Sequence, residues 1–296
     1  MRAVWSFWSR PYQGHYGSNW TSDRHHLLAW VLSVETARQH YPDTWLVTDD
    51  EGARLLVDGL GLRFNQVSTD LNRLSACDPA WWSLGKLAAY SLQTAPFVHI
   101  DDDVFLWKRL PERLERASIL AQNPEPFSSF AIYRPDRMVR ALNYPAQGWL
   151  PPEWSWYRVP GPKWGLNCGI FGGCAVDLIR QYAQAGLRII EDPANRSGLA
   201  RLVSKGLDMV VVEQYLSAAF GAVQPARSGR SRRGVQVEFL FRSMGECWKT
   251  ASAVEAGYTH LLGGRKKNPE VARVLERRVR QDYPDLYERC QRMKLD

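Results

Sequence analysis

The segment PFVHIDDDVFLW (residues 96–107) decides the fold class of this chain. Its apolar start, 96–100, predicts a short buried strand that runs directly into three consecutive carboxylates, Asp101 to Asp103. The stretch AWWSLGKLAAYSLQ (80–93), which precedes the strand, has helical propensity. In α/β sheets ligands bind at the carboxyl ends of strands, so the acidic cluster predicts a functional site.

Helix and strand signals alternate on both sides of this segment. Apolar residues from Leu27 to Val34 recur at helical spacing, and TWLVTDD (44–50) predicts a buried strand that ends in two carboxylates. The alternation continues through LNCGIFGG (166–173) and VVEQYL (211–216). It predicts an α/β fold in which helices flank a mixed, mostly parallel, Rossmann-like sheet.

The length of 296 residues fits one α/β domain, and no linker divides the sequence. We therefore predict a single domain over residues 1–296. Segment 143–163 is rich in Pro and Trp and too long for an ordinary connection, which makes it a candidate acceptor-binding loop. Residues 268–296 have helical spacing and predict a C-terminal helical segment that packs one face on the domain.

The net charge of +7 suits an anionic partner such as a nucleotide diphosphate, a nucleic acid or an acidic membrane surface. The sequence contains no recognisable nucleic-acid-binding module, so nucleic acid is not the expected partner. The basic run 227–233 is rich in Ser and Gly. It is interpreted as a solvated loop, or alternatively as a segment that neutralises a phosphate-bearing substrate.

Cysteine usage and hydropathy bear on the cellular compartment. The five cysteines form an odd set without a CxxC pair, which argues against a disulfide framework and a structural zinc site. No apolar stretch approaches the length of a transmembrane helix, and the N-terminus lacks a long apolar core. These features predict a cytoplasmic protein without a transmembrane segment.

The acidic cluster has the composition of a metal site. Three adjacent carboxylates repel one another unless a cation or several hydrogen-bond donors lie among them, and a divalent metal is the simplest such cation. Carboxylate oxygens bind hard divalent ions such as Mn²⁺ or Mg²⁺, and Asp101 and Asp103 can point to the same side of the turn. An acidic surface turn is the alternative, but the apolar strands that bracket the cluster favour a bound cation.

The sequence HIDDDVFLW (99–107) resembles the DxD motif of nucleotide-diphospho-sugar glycosyltransferases with the GT-A fold. This resemblance implies that Asp101 and Asp103 face the metal and that Asp101 also lies near the ribose of the donor. It also implies a GT-A-like sheet.

A second segment, THLLGGRKKN (259–268), is similar to the HxxGxxK motif of family 8 retaining glycosyltransferases. The resemblance implies that His260 completes the metal site and that Lys266, Gly263 and the backbone of Gly264 bind the diphosphate. The Pro-Trp pair that usually follows the lysine in that family is replaced here by Lys267-Asn268.

Weaker similarities to the same family add further candidates. They imply donor contacts for Asp49 and Lys86, and a catalytic or sugar-contacting role for Asn167, Glu213 and Gln214. Gly169 and Gly172 are candidates for lining the sugar pocket. An exposed lysine, a glycine bulge and helix capping by residues 213–214 are the corresponding structural alternatives.

Taken together, the acidic cluster and these resemblances predict a hexosyltransferase that uses Mn²⁺ or Mg²⁺ and a nucleotide sugar to glycosylate an acceptor hydroxyl, and the resemblance implies a UDP-sugar as the donor. Retention of anomeric configuration follows from the HxxGxxK resemblance alone. The acceptor, whether glycan, small molecule or peptide, is left open. Two alternatives also stay open: a phosphohydrolase of the haloacid dehalogenase type, with its first Asp as nucleophile, and a non-catalytic nucleic-acid- or ligand-binding protein.

Overall fold

The structure is a computed structural model that describes residues 1–13, 19–129, 131–228 and 235–293, with the side chains of 224–228 outside the description. Its internal contacts divide the chain into two compact units. Unit 1 comprises Met1–Pro79, Val98–Leu110 and Thr250–Asp296, and unit 2 comprises Ala80–Phe97 and Pro111–Lys249. The prediction of a single domain over 1–296 stays a prediction.

The strands of the described residues are numbered here in chain order. They are β1 (Arg2–Phe7), β2 (Thr44–Thr48), β3 (Gln66–Ser68), β4 (Phe97–Ile100), β5 (Val104–Leu106), β6 (Ile119–Ala121), β7 (Pro124–Pro126), β8 (Trp164–Leu166), β9 (Ile170–Gly173), β10 (Val237–Phe239) and β11 (Tyr258–His260). Within the described residues, a seven-stranded, mostly parallel sheet is flanked by helices, which confirms the predicted α/β class.

The longer helices are α1 (Asp23–Arg38), α2 (Leu84–Ser91), α3 (Val176–Glu191), α4 (Pro269–Asp282) and α5 (Pro284–Arg292). The segments Lys205–Val210, Val211–Tyr215 and Leu216–Ser228 form a continuous helical stretch. Shorter helices and helical turns span Ser9–Pro11, Asp50–Ala53, Arg54–Gly59, Asp70–Leu74, Glu112–Glu115, Phe127–Ser129, Pro135–Ala141, Pro152–Arg158, Pro193–Asn195, Arg196–Ala200, Met244–Cys247, Thr250–Ala256 and Gly263–Lys267.

Unit 1 contains β4 from Val98 onwards together with β1, β2 and β3. These strands follow the order β4-β1-β2-β3 in the sheet. Both β1–β2 and β2–β3 are parallel pairs. Helix α1 begins after Ser22, whose side chain accepts a hydrogen bond from the backbone N–H of His25, as expected of an N-cap. The helix buries every residue from 26 to 34. Its start and length therefore follow from the cap and the apolar spacing.

A small antiparallel pair in unit 1 joins β5 to β11, with Val104 opposite His260 and Phe105 opposite Thr259. The backbone N–H of Leu261 donates to the carbonyl of Asp103 at 3.0 Å and extends the ladder by one bond. Because a ladder fixes which residues lie opposite each other, this pairing sets His260 beside the acidic turn.

Unit 2 contains the order β10-β6-β9, in which β10–β6 is parallel and β6–β9 is antiparallel. A separate antiparallel pair joins β7 to β8. Helices α2 and α3 pack against each other in this unit. Large aromatic side chains fill its interior, among them the fully buried Tyr90, Trp154, Phe171, Tyr182 and Tyr215.

Several boundaries differ from the predictions. The predicted helix 80–93 is helical only from Leu84 to Ser91, because residues 80–83 form a turn after Pro79. The predicted strand 166–173 is interrupted at residues 167–169: β8 pairs with β7, whereas β9 joins the larger sheet. The basic run 227–233 lies outside the residues whose side chains the structure describes.

The Pro- and Trp-rich segment 143–163 contains the helical turn Pro152–Arg158. Trp154 and Trp156 are buried in it and both pack on Tyr215, with ring centroids 5.4 and 5.8 Å apart respectively. Pro152 starts this helical turn, and the aromatic contacts hold it in place.

The structure also bears on the predictions about membrane-spanning helices and disulfide bonds. No helix among the described residues is long and apolar enough to cross a bilayer. All five cysteines are among the described residues, and no disulfide joins any of them.

Candidate metal centre and functional site

The turn that follows β4 holds the acidic cluster in a fixed backbone conformation. The backbone N–H of Val104 donates to the carbonyl of Asp101 at 3.0 Å and closes the turn. The hydroxyl of Ser33 donates to the same carbonyl at 2.9 Å, and the indole N–H of Trp5 in turn donates to Ser33 Oγ. Because these donors come from α1 and β1, the position of the turn is set by the core of unit 1.

Asp101, Asp103 and His260 lie together at this turn. One ligand atom from each of them, two carboxylate oxygens and one imidazole nitrogen, lies within 4.8 Å of the other two. Asp103 is buried, and its Oδ1 lies 3.3 Å from Nε2 of His260. The structure therefore brings together the three residues that the sequence predicts as metal ligands.

Lys266 also reaches this cluster. Its Nζ lies 2.5 Å from Oδ2 of Asp103. Burial acts to raise the pKa of the Asp103 carboxyl, but the ammonium of Lys266 and the imidazole of His260 outweigh it, so the pKa lies well below its ordinary value. Burial acts to lower the pKa of Lys266, but Asp103 and the neighbouring carboxylates outweigh it and the pKa is raised. Both shifts favour the ionised pair.

The donor set fits a divalent cation. Two carboxylates and a neutral imidazole are ligands that Mn²⁺ accepts, and Mg²⁺ accepts the carboxylates. Three protein ligands within 4.8 Å of one another leave coordination positions for phosphate oxygens or water. The residues present could therefore hold a divalent cation.

His99 lies beside the first carboxylate of the cluster. It is buried on β4, with Nε2 2.9 Å from Ser6 Oγ and Nδ1 3.6 Å from Oδ1 of Asp101. Groups behind a metal ligand orient it and tune its basicity. His99 and Ser6 therefore form an outer layer on the Asp101 side of the cluster.

The middle carboxylate of the cluster has a different partner. Asp102 Oδ2 lies 2.6 Å from Nε2 of His26, which comes from the first turns of α1. His26 is buried among the rings of Phe7, Tyr12 and Trp20. Asp102 is therefore tied to α1, whereas Asp101 and Asp103 are grouped with His260.

The glycines after His260 adopt an open turn. Gly263 has φ +54, a left-handed conformation that glycine adopts without steric cost, and a Cβ there would meet no atom within 4 Å. Gly264 is equally open. The turn Gly263–Lys267 thus has exposed backbone next to Lys266, as close approach of a ligand would require.

Asp49, predicted to contact the donor, lies at the end of β2. Its carboxylate accepts from the backbone N–H and the hydroxyl of Ser9 and from the backbone N–H of Gly52. The residue is buried and caps the helix Asp50–Ala53. These contacts give Asp49 a structural role, and its donor contact stays a prediction.

The other predicted site residues belong to unit 2. Nζ of Lys86 lies 3.0 Å from Oε1 of Glu213, which is fully buried, and 5.6 Å from the ring centroid of Trp82. Glu213 Oε2 has no hydrogen-bond partner among the described residues. Tyr182 donates its hydroxyl hydrogen to the Glu213 carbonyl at 2.7 Å. Lys86 is thus one half of a buried ion pair, which excludes the alternative of an exposed helical lysine.

Asn167 and Gln214 are joined through Glu125 and Tyr133. The Asn167 amide donates to Glu125 Oε1 at 2.6 Å, and the Tyr133 hydroxyl is within hydrogen-bond reach of both Glu125 Oε2 and Gln214 Oε1. Burial, followed by the nearby Glu125 carboxylate, raises the pKa of Tyr133 well above its ordinary value. The network also includes Gly169, whose N–H donates to Asn167 Oδ1.

Comparison with known proteins places the chain in a family. The sequence profile of DUF6734, described as a family of unknown function, matches residues 1–293. The chain belongs to the DUF6734 family. No curated protein sequence matches this DUF6734 member. Among solved structures it is similar to the galactosyltransferase LgtC in complex with donor and acceptor sugar analogues, with 10% identity, a TM-score of 0.38 and coverage of 87% of this chain and 95% of that one.

Sequence reasoning missed four polar residues of the two sites in this DUF6734 protein. His26 and His99 contact the acidic turn, and Glu125 and Tyr133 connect Asn167 with Gln214. His99 could have been found, because a histidine inside an otherwise apolar strand requires a polar partner. The other three stand in segments whose pattern carries no such signal.

Proposed function

We propose that this DUF6734 protein is a metal-dependent glycosyltransferase of the GT-A type. It transfers a hexose from a nucleoside-diphosphate sugar, UDP being the expected nucleotide, to an acceptor hydroxyl. The observation that carries the proposal is the meeting of Asp101, Asp103 and His260 within 4.8 Å, with the ammonium of Lys266 on the same carboxylate. The motif resemblances described above add support.

The chemistry of the cluster suits departure of a diphosphate. Mn²⁺ or Mg²⁺ held by Asp101, Asp103 and His260 would supply a Lewis acid for the diphosphate oxygens. Lys266 would bind a phosphate oxygen and neutralise charge that grows there as the bond to the sugar breaks. The exposed backbone N–H groups of Gly263 and Gly264 are further donors for the same oxygens.

In the proposed reaction the bond between the anomeric carbon and the diphosphate oxygen breaks, and the acceptor oxygen forms a bond to that carbon. The acceptor hydroxyl proton passes to a leaving phosphate oxygen, which leaves both products balanced and requires no protein base. This same-face course gives retention of configuration. An inverting course would need a carboxylate base, for which Glu213 or an aspartate is the candidate.

Asn167, Glu213 and Gln214 are proposed to contact the sugar or the acceptor. Their support is chemical: the amides donate and accept, and one buried oxygen of Glu213 has no partner among the described residues. Lys86 is proposed to act through its ion pair with Glu213. Asp49 is retained as a proposed donor contact with weaker support, because its carboxylate already accepts three hydrogen bonds.

The deciding experiment measures nucleotide release from a panel of UDP- and GDP-sugars with Mn²⁺, with Mg²⁺ and with chelator. We expect metal-dependent release from one donor, and loss of at least about 100-fold in Asp103→Asn, which keeps the side-chain shape but removes a ligand charge. Asp58→Asn, an exposed position in unit 1, is the matched control and should retain wild-type release.

Each result has a defined meaning. Binding of Mn²⁺ by the wild type and not by Asp103→Asn, followed by isothermal calorimetry, supports the metal site independently of turnover. Proton NMR of the product of the active donor reads retention or inversion from the anomeric coupling. Release of inorganic phosphate from an aryl phosphate, with no turnover of any nucleotide sugar, would replace the proposal with the phosphohydrolase alternative.

A further inference from the structure

Lys266 is fixed at both its backbone and its ammonium group by a single segment, Trp20–Thr21. The backbone N–H of Thr21 donates to the carbonyl of Lys266 at 3.2 Å, and the Thr21 hydroxyl donates to the same oxygen at 3.1 Å. The Lys266 ammonium lies 5.4 Å from the ring centroid of Trp20. The segment therefore contacts both the backbone carbonyl and the terminal ammonium of Lys266.

Trp20 is itself held in place. The residue is 7% exposed, and its ring stacks on His26 with centroids 5.6 Å apart and planes inclined by 22°. His26 is bound to Asp102 at 2.6 Å. The ring of Trp20 therefore contacts both the ammonium of Lys266 and an imidazole that is anchored on the acidic turn.

We propose that Trp20 is a positioning residue for Lys266, and that the His26–Asp102 pair keeps the Trp20 ring in place. The role assigned to Lys266 rests on the proposed glycosyltransferase function. In this assignment Trp20 contacts neither sugar nor metal. It holds the ammonium where a diphosphate oxygen can meet it.

The physical reason is the freedom of a lysine side chain. Four rotatable bonds give it the largest class of rotamer entropy, which a ligand must remove unless the protein has already done so. An aromatic ring attracts a cation over the whole area of its face, so the ammonium can move from Asp103 to a phosphate while it stays over the ring. A hydrogen bond to a single acceptor would not permit that movement.

The experiment measures UDP affinity by calorimetry in saturating Mn²⁺ for Trp20→Leu and Trp20→Phe, each in the wild type and in Lys266→Met. In the wild type we expect UDP to bind about 5-fold more weakly with leucine and about 2-fold more weakly with phenylalanine, in line with the loss of a cation–π contact. In Lys266→Met both changes should have less than about a 2-fold effect, because their target is gone.

Further readouts separate positioning from folding. With the active donor, kcat should fall more than KM rises in Trp20→Phe, because the contact matters most as charge develops on the diphosphate. Equal weakening in both backgrounds, or no weakening in the wild type, would overturn the positioning role. Should Trp20→Leu not fold, Trp20→Phe carries the same test. A wild-type protein that binds no UDP with Mn²⁺ would instead refute the proposed function on which this role depends.

Discussion

Nζ of Lys266 lies 2.5 Å from Oδ2 of Asp103, a carboxylate whose other oxygen lies 3.3 Å from Nε2 of His260. The buried carboxylate of Asp103 thus contacts a lysine and a histidine at the same time. A cation that coordinates Asp103 must compete with the ammonium for Oδ2, whereas a diphosphate offers the ammonium another anion. Metal and diphosphate are therefore expected to bind with positive cooperativity.

The competition predicts opposite effects of one substitution on two ligands. Lys266→Met should increase the affinity for Mn²⁺ alone by about 3- to 10-fold, since the competing charge is removed. It should decrease the affinity for UDP in the presence of Mn²⁺ by about 10-fold or more. Calorimetry with each ligand measures both changes.

Lys267→Met is the matched control, because Lys267 is the exposed neighbour in the same turn and an identical charge is removed. Both affinities should remain within about 2-fold of wild type. Weaker Mn²⁺ binding in Lys266→Met would show that the lysine assists the metal and would contradict the competition.

The ion pair of Lys86 and Glu213 predicts that the effect of replacing Lys86 on stability depends on whether Glu213 is still charged. Lys86→Met leaves the fully buried Glu213 without its cation and should lower the free energy of unfolding by about 3 kcal/mol or more. Adding Glu213→Gln removes the charge as well, so the double variant should be more stable than Lys86→Met alone. Urea denaturation of the four proteins in the cycle tests this; a purely additive result would contradict it.

The Glu125 network predicts a smaller but measurable effect. Glu125→Gln retains the size of the side chain but offers Asn167 and Tyr133 one oxygen acceptor instead of two, so we expect a loss of about 1–3 kcal/mol in the free energy of unfolding. The pKa of Tyr133 should also fall, since a nearby negative charge is removed. Denaturation and ultraviolet titration measure the two effects, and the exposed Glu191→Gln should show neither.

Buried Cys290 predicts a loss of stability at alkaline pH. Burial raises the pKa of its thiol to about 11 from an ordinary value of 9.0, with a small opposing effect of Arg24. The unfolded chain therefore releases this proton at a lower pH than the folded one. The thiol's contribution to stability is fully present below pH 9 and is lost as pH rises through 11.

The corresponding measurement is the free energy of unfolding between pH 8 and about pH 11 in wild type and Cys290→Ala. The wild-type slope should be steeper by no more than about 1 kcal/mol per pH unit after allowance for solvent screening. Cys174→Ala removes an exposed thiol and should leave the slope unchanged. Parallel slopes for wild type and Cys290→Ala would refute the prediction.

Gly173 at the end of β9 predicts a severe local effect. Its φ is +137, and a Cβ there would lie 2.2 Å from the backbone carbonyl oxygen of Ser118. Gly173→Ala should therefore lower the melting temperature by about 10 °C or more, because the clash is with backbone atoms that cannot move aside without disturbing the strand. Gly264→Ala, where a Cβ meets nothing within 4 Å, is the control and should change it little.

The sequence predicted the fold well where burial and periodicity agree. Strand β4 and helix α1 are found close to where their apolar patterns and the Ser22 cap place them. The pattern could not reveal that residues 164–173 change from one sheet to another, because residues 165–173 are buried throughout, in both strands and in the turn between them. Periodicity reports burial and does not report which strand is the partner.

The site was predicted in part for a related reason. Asp101, Asp103, His260 and Lys266 could be named because two motifs contain them. Trp20 and His26 could not, since their significance arises from which helix packs on the acidic turn. Such contacts depend on tertiary packing between distant segments, which the local patterns of a single sequence do not reveal.

The ladder between β5 and β11 has a consequence for biosynthesis. Residues 111–249 separate His260 and Lys266 from the acidic turn along the chain, and the pairing of Val104 with His260 helps to bring the two segments together. A growing polypeptide that has not yet reached Tyr258 carries the carboxylates without their histidine and lysine. Under the proposed function, the full ligand set for a divalent ion would therefore be present only after the segment that carries His260 has been made.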